Sequence, residues 1–248
     1  MKHAIFVAPF EELADPRIVA RLAAEAEAAG WDGFFLWDHI RHAAPVRSVA
    51  DAWVTLAAVA SATSRVRIGP MVTPLSRRRV HKVARETVTL DLLSSGRLTL
   101  GVGLGALGTG ELEPFGEVTD ARERAELLDR GLAGLARYWS GEFEPVPVQQ
   151  PRIPVWVAAE WPNRRPVQRA ARWDGLFPIR LPRPRALAEL VAEVRALRPP
   201  DAPFDFAVDV PPGDDPAPWE EAGATWRLAG LGRQPTYAGV HDAITAGP

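Results

Sequence analysis

The apolar run Gly33-Phe34-Phe35-Leu36-Trp37 stops on Asp38-His39, two titratable groups that a purely packed strand does not need. An imidazole can donate from one ring nitrogen while accepting at the other, so His39 suits the steering of a proton beside a redox cofactor, with Asp38 to orient it. The pair also has a structural reading, in which Asp38 caps the following loop and His39 packs on Trp53. A metal is a third possibility, since His39, His42 and Asp38 are all potential ligands. His81 at a helix start and His3 ahead of the first strand add no further ligand, so no metal is expected.

The second group of chemical candidates is built from glycines and arginines. Gly101, Gly103 and Gly105 remove side chains at the end of an apolar segment and would let a flat ring or a phosphate approach the backbone; tight turning is the structural alternative for one or two of them. Gly103-Leu104-Gly105-Ala106-Leu107-Gly108 fits the dinucleotide pattern G-x-G-x-x-G, but that pattern needs a helix opening on it, and Gly110, Pro114 and Gly116 prevent one. The roughly 18 residues from Gly103 to Asp120 read instead as a lid or binding loop. Residues 161–166, Trp-Pro-Asn-Arg-Arg-Pro, lie between a strand and a helix, so backbone amides near Asn163, Arg164 and Arg165 predict an anion site. The bland alternative is a cap by Asn163 with solvated arginines. Arginines recur at 77–79 before another helix, where the dipole disfavours cations, and two such groups point to an anionic ligand.

Eight strand-to-helix repeats would hold these residues. The strands are read at 4–7, 33–37, 66–69, 97–103, 154–158, 175–179, 204–210 and 224–229. The helices between them include one opened by Asp15-Pro16 and stopped by Gly30, one opened by a capping box at Ser48-Val49-Ala50-Asp51, one over 82–93, and a longer amphipathic one carrying Leu128, Leu132, Leu135 and Trp139. Units of about 30 residues, eight times over, predict an α/β fold, a (β/α)₈ TIM barrel of 248 residues in a single domain spanning 1–248, without a large insertion. The Pro-rich stretches at 145–154 and 199–218 are then loops, because cutting at either leaves strands that cannot close. In such barrels the site lies at the carboxyl ends of the strands, which gathers Asp38, His39, Pro70, Met71, Thr73, the glycine loop, Glu160, Trp161, Asn163 and Arg164.

Composition narrows the partners. Lys and Arg (29) nearly balance Asp and Glu (31), for a net charge of −2, so no nucleic acid or anionic membrane is expected as a partner. The absence of Cys removes disulfides, thiolate nucleophiles and cysteine metal sites. A signal-peptide core and a membrane-length apolar run are both missing, and a cytoplasmic location is expected. Trp37, Trp53, Trp161 and Met71 predict an apolar or aromatic small-molecule substrate, although each also fits a core.

Several segments resemble the luciferase-like monooxygenase family, barrel flavoenzymes that use reduced FMN or the deazaflavin F420. They are "AEAAGWDGFFLWDHI", "WVTLAAVASATSRVRIGPMVTPL", "ARETVTLDLLSSGRLTLGVGLG", "PVWVAAEWPNRRPVQRAARWDGLFP" and "AGATWRL", in the family's order over most of the chain. The resemblance implies an oxidoreductase, with His39 beside the cofactor ring, Pro70 and Met71 backing it, and Glu160, Trp161, Asn163 and Arg164 at its phosphate. It also implies a homodimer and a separate flavin reductase as partners. Reduced FMN would bring O₂ chemistry and oxygen transfer, whereas F420 would deliver a hydride; arginines 77–79 and 164–165 would suit its anionic tail. Two departures stand out. Leu104 occupies a position where some members carry Arg, and the missing insertion leaves the substrate pocket open or completed by a partner. A non-catalytic flavin-binding barrel is therefore the rival from another functional class, with a metal-dependent hydrolase third.

Overall fold

Successive side chains of a strand point to opposite faces, and β2 (Gly33–Leu36) shows what that does to the run that ends on Asp38-His39. Phe34 and Leu36 pack outward into the main apolar layer between strands and helices. Phe35 points inward, and Trp37 follows it. Only alternate residues of the run therefore line the interior.

The computed structural model describes residues 1–248. Its remaining strands are β1 (Lys2–Val7), β3 (Arg67–Pro70), β4 (Thr73–Pro74), β5 (Leu100–Gly103), β6 (Val155–Glu160), β7 (Gly175–Ile179), β8 (Asp205–Asp209) and β9 (Trp226–Gly230). All ladders are parallel, in the order β3-β2-β1-β9-β8-β7-β6-β5-β4. β3 and β4 are two parts of one barrel strand, separated by Met71 and Val72, whose peptide is cis. A bridge from Ile68 to Leu98 joins β3 to the segment entering β5 and brings the ends of the order together. The result is a nearly closed (β/α)₈ barrel; the open, doubly wound alternative is excluded. Strand one starts earlier than its apolar run, at Lys2, because it pairs with Trp226 of β9, so His3 lies within it.

Eight helices surround the barrel: α1 (Pro16–Ala28), α2 (Ala52–Ala62), α3 (Val80–Leu93), α4 (Ala121–Arg137), α5 (Arg165–Ala170), α6 (Pro184–Ala196), α7 (Ala217–Glu221) and α8 (Tyr237–Ala246). Local chemistry sets their starts. Asp15 accepts from the Arg17 amide at 2.9 Å with Pro16 in the first turn, and Asp120 accepts from the Glu123 amide at 2.8 Å. At α2 the cap is Asp51, which accepts from the Val54 amide at 2.8 Å. Ser48, expected to open that helix, lies upstream of it: its carbonyl takes the Glu11 amide at 3.0 Å and ties two loops together. No helix is long and apolar enough to cross a membrane.

Aromatic rings fill the barrel. Phe35, Trp156 and Trp226 are fully or almost fully buried, with Trp156 5.4 Å from Phe35 and 5.5 Å from Trp226 between ring centroids. This plug closes the interior, so open space remains toward the carboxyl ends. The backbones must also approach closely where β3 meets the segment before β5: a Cβ on Gly69 would lie 1.9 Å from the Thr99 carbonyl oxygen. Since that atom is backbone, Gly69→Ala is expected to cost about 1–3 kcal/mol and lower Tm by roughly 5 °C. Thermal denaturation with an unchanged Tm would contradict this packing.

Candidate active site

At the carboxyl ends of the strands lies a cavity of about 930 Å³, bounded by residues from both halves of the barrel. Asp38, His39, Met71, Gly103, Leu104, Gly105, Glu160 and Asn163 line it; Pro70, Trp161 and Arg164 do not. Pro70 belongs to the β3 ladder, paired with Leu36. Arg164 is turned to α6, where its guanidinium meets Glu193 at 2.8 Å and Glu189 at 3.8 Å, and it stacks over Trp161 at 4.7 Å. An arginine neutralised by two carboxylates is poorly placed to hold an anion. Asn163 makes no cap, since α5 starts from Arg164 without a side-chain cap bond.

Asp38 is 3% exposed and organises the rim. Its carboxylate accepts from Thr73 Oγ1 at 2.6 Å, Trp53 Nε1 at 3.2 Å and Arg78 Nη2 at 2.8 and 2.9 Å, while Arg77 Nη2 donates to the Asp38 carbonyl at 2.9 Å. Asp38 thus fastens the end of β2 to α2, β4 and the start of α3, rather than capping the loop that follows it. Arg77 and Arg78, expected at an anion site, turn inward to this carboxylate. Trp53 serves Asp38 and is not the packing partner of His39.

His39 sits instead among Phe10, Trp37 and His42, with centroid separations of 5.7, 5.8 and 5.1 Å. Its Nδ1 lies 2.7 Å from Glu111 Oε2. Oε1 of the same carboxylate accepts from the Ile40 amide at 2.9 Å and lies 3.5 Å from Arg77, and Oε2 also accepts from Thr109 Oγ1 at 2.9 Å. Burial disfavours the Glu111 charge, but the His39 bond, the Ile40 amide and Arg77 outweigh it, so the carboxyl titrates below the ordinary glutamate value. An ionised Glu111 only accepts, which fixes the proton on Nδ1 and leaves Nε2 for a molecule in the cavity. Burial holds the neighbouring His42 below the usual histidine value.

Glu111 is the partner that the sequence did not expose, because its loop between β5 and α4 has no periodicity and lies 72 residues from His39. Apart from a short turn at Glu113–Phe115 that loop is irregular, as its glycines predict. Those glycines act differently from the reading above. A Cβ on Gly101 would lie 2.4 Å from the Pro70 carbonyl oxygen and 2.5 Å from Met71 Sδ, and one on Gly103 2.7 Å from Val72. They admit the interrupted third strand rather than a ligand.

Arg124 of α4 also escaped the sequence. It is 3% exposed, lines the cavity and donates from Nη1 to the carbonyls of Leu104 at 2.9 Å and Gly105 at 3.0 Å. No carboxylate pairs with it, and its Nε lacks a partner. Burial lowers its pKa, with Asp120 opposing. A cation that remains unpaired at such a cost is a ready site for an anion. No group of three or more His, Cys, Asp or Glu side chains is placed to hold a metal.

The family model described as luciferase-like monooxygenase matches residues 2–241. The chain belongs to this family. Among its relatives, the oxygenase component of the flavin-dependent trigonelline monooxygenase of Acinetobacter baylyi is 28% identical over 142 residues, covering 52% of this chain and 39% of the relative. The F420-dependent glucose-6-phosphate dehydrogenase of Beutenbergia cavernae is 36% identical over 132 residues, covering 51% of this chain and 38% of the relative. The chain therefore matches well under half the length of these two. In fold it is similar to an F420-dependent secondary alcohol dehydrogenase solved with an F420-acetone adduct, at TM-score 0.79 and 16% identity over 100% of this chain and 98% of the other. At Leu104, where the sequence offers no charge, Arg124 brings a guanidinium to the backbone carbonyl.

Proposed function

We propose that this chain, folded as one domain, is a flavin-dependent oxidoreductase of the monooxygenase type, using reduced FMN and O₂ on a small, mainly apolar organic substrate. The observation that carries this reading is the joining, in one cavity, of the His39–Glu111 pair with the unpaired buried Arg124. The residues present fit the cofactor. A volume of about 930 Å³ walled by Phe6, Trp37, Met71 and Phe177 is of the size and polarity that holds a planar ring system. Arg124 supplies charge for one phosphate. Bound reduced flavin would supply the electrons and the reactive position toward O₂. The chain's own part is to orient that ring against Met71, to exclude water with the aromatic wall, and to present His39 Nε2 for a proton while Glu111 holds Nδ1.

F420-dependent hydride transfer is the second reading, favoured by the names of the Beutenbergia relative and of the solved neighbour. Of the arginines offered for F420's longer anionic tail, Arg77, Arg78 and Arg164 are occupied by carboxylates, which leaves only Arg79 and Arg165 for it and favours FMN. A homodimer and a separate flavin reductase belong to the same proposal, as does a cytoplasmic location.

Equilibrium titration with FMN and F420 separately tests the reading. FMN is expected to bind tighter, and Arg124→Gln to weaken it by roughly 10- to 100-fold, about the loss of one charge-assisted contact or two. Tighter F420 binding would transfer the proposal to hydride transfer, and failure of both cofactors would end it.

A further inference from the structure

We propose that the cavity recognises a protonated amine on an otherwise apolar substrate, and that Asp209 at the end of β8 is the residue that binds it. This deepens the oxidoreductase reading and rests on it only in treating the amine as substrate. In the ladder order β1 and β9 separate β8 from β2, so Asp209 enters the cavity from a different wall than His39.

Four carboxylates line the cavity, and three have cationic partners. Asp38 meets Arg78, Glu111 meets His39 and Arg77, and Glu160 meets Arg180 at 2.5 Å. Asp209 has none. Charged groups on the elements around it are engaged elsewhere: Arg180 beyond β7 with Glu160, Arg227 of β9 with the carbonyls of Val210 and Pro211, Glu220 of α7 with the chain's amino terminus, and Arg169 of α5 with Asp129. The backbone amide of Gly230 is the donor that acts on it. Gly230 is also what lets the carboxylate lie so close to β9, because a Cβ there would fall 2.2 Å from Asp209 Oδ1.

Apolar side chains share this part of the wall. Val208, Phe177, Ile179 and Trp219 line the cavity from β7, β8 and α7. Asp209 is exposed toward the cavity while its carboxyl packs against β9, and the desolvation there raises it to about 6, against the Gly230 amide. Above that pH it carries an uncompensated charge in a cavity that Phe177 and Trp219 also line. A hydroxyl would give it one hydrogen bond, whereas an ammonium supplies several donors, neutralises the charge and is attracted to aromatic faces. The sign of the pH effect follows. An ammonium binds the ionised carboxylate, so affinity falls as pH drops through about 6, where Asp209 takes up a proton.

Benzylamine and benzyl alcohol, alike in ring and size, are the probes, titrated into the full chain by calorimetry. At about pH 7.5 benzylamine is expected to bind roughly tenfold tighter or more, a charge-assisted contact against a neutral one. In Asp209→Asn, which keeps the shape, the two should come within about twofold of each other, while Asp209→Glu should keep a preference for the amine. In the unmodified chain benzylamine affinity should decline between about pH 7 and pH 5. Equal binding of the two probes, no binding of benzylamine, or an amine preference that survives in Asp209→Asn would each overturn the proposal. The FMN and F420 titrations report separately on the oxidoreductase reading, because amine selectivity with no cofactor binding would remove that reading and leave Asp209 in its role.

Discussion

Asp38→Ala is expected to be the most destabilising single substitution at the site, costing about 3–5 kcal/mol and lowering Tm by roughly 10 °C. The reason is what it would leave behind. Arg77 and Arg78 have side chains 4% and 16% exposed, and both face Asp38, Arg77 sharing itself with Glu111. Without it the Arg78 guanidinium, the Thr73 hydroxyl and the Trp53 indole nitrogen lose their acceptor together inside the rim, while Arg77 keeps the residue 38 carbonyl and Glu111. Such a loss exceeds the worth of the ion pair itself, because the partners stay buried and unpaired. Asp38→Asn, which retains one carbonyl acceptor, should fall between. Urea denaturation checks both, and a midpoint for Asp38→Ala within error of the unmodified chain would show that Asp38 does not organise this corner.

The second large effect is expected in turnover. His39→Ala should reduce it by roughly 100-fold or more, the usual scale for a positioned proton-transfer group, while FMN affinity changes by less than about fivefold. Unchanged turnover would remove the role given to His39, and cofactor binding without any turnover in the unmodified chain would favour the non-catalytic flavin barrel. Glu111→Gln separates positioning from packing, since the amide fills the same space but no longer fixes the proton on Nδ1. Turnover should drop roughly tenfold with little change in KM.

The acid limb of stability supplies an independent readout. Glu111 has a folded pKa below its unfolded value. It therefore contributes stability in full above the unfolded pKa of about 4.3, and that contribution is lost as pH falls through the lower, folded value. Acid denaturation of the unmodified chain should accordingly be steeper below about pH 4.3 than that of Glu111→Gln. Parallel profiles would mean that the buried pair with His39 contributes nothing to folding.

Much of the frame was legible from short-range chemistry. Asp15-Pro16 and Asp120 start helices because a side-chain oxygen reaches an amide two or three residues ahead. The strand run through Phe34–Trp37 and its abrupt end fixed where β2 leaves the core, and therefore that Asp38 and His39 reach the rim. Ser48 shows the limit even of this kind of signal: the capping-box pattern starts the helix there, and the Asp51 bond to the Val54 amide moves the start three residues on.

What the sequence by itself determined is the order of strands and helices, the barrel they make and the set of strand-end residues offered to a site. Which of those residues answer one another was decided only by the tertiary structure. Arg77, Arg78 and Arg164 read as free cations but turn to carboxylates on other elements, and Gly101 and Gly103 make room for Met71 and Val72 rather than for a ligand. Glu111, Arg124 and Asp209 gained their meaning in the same way, the first by a partner 72 residues away and the other two by having none. Periodicity and capping act over a single turn or pleat, so they are written locally. Charge pairing and desolvation depend on every group within a few ångströms, and folding brings those groups from the whole length of the chain.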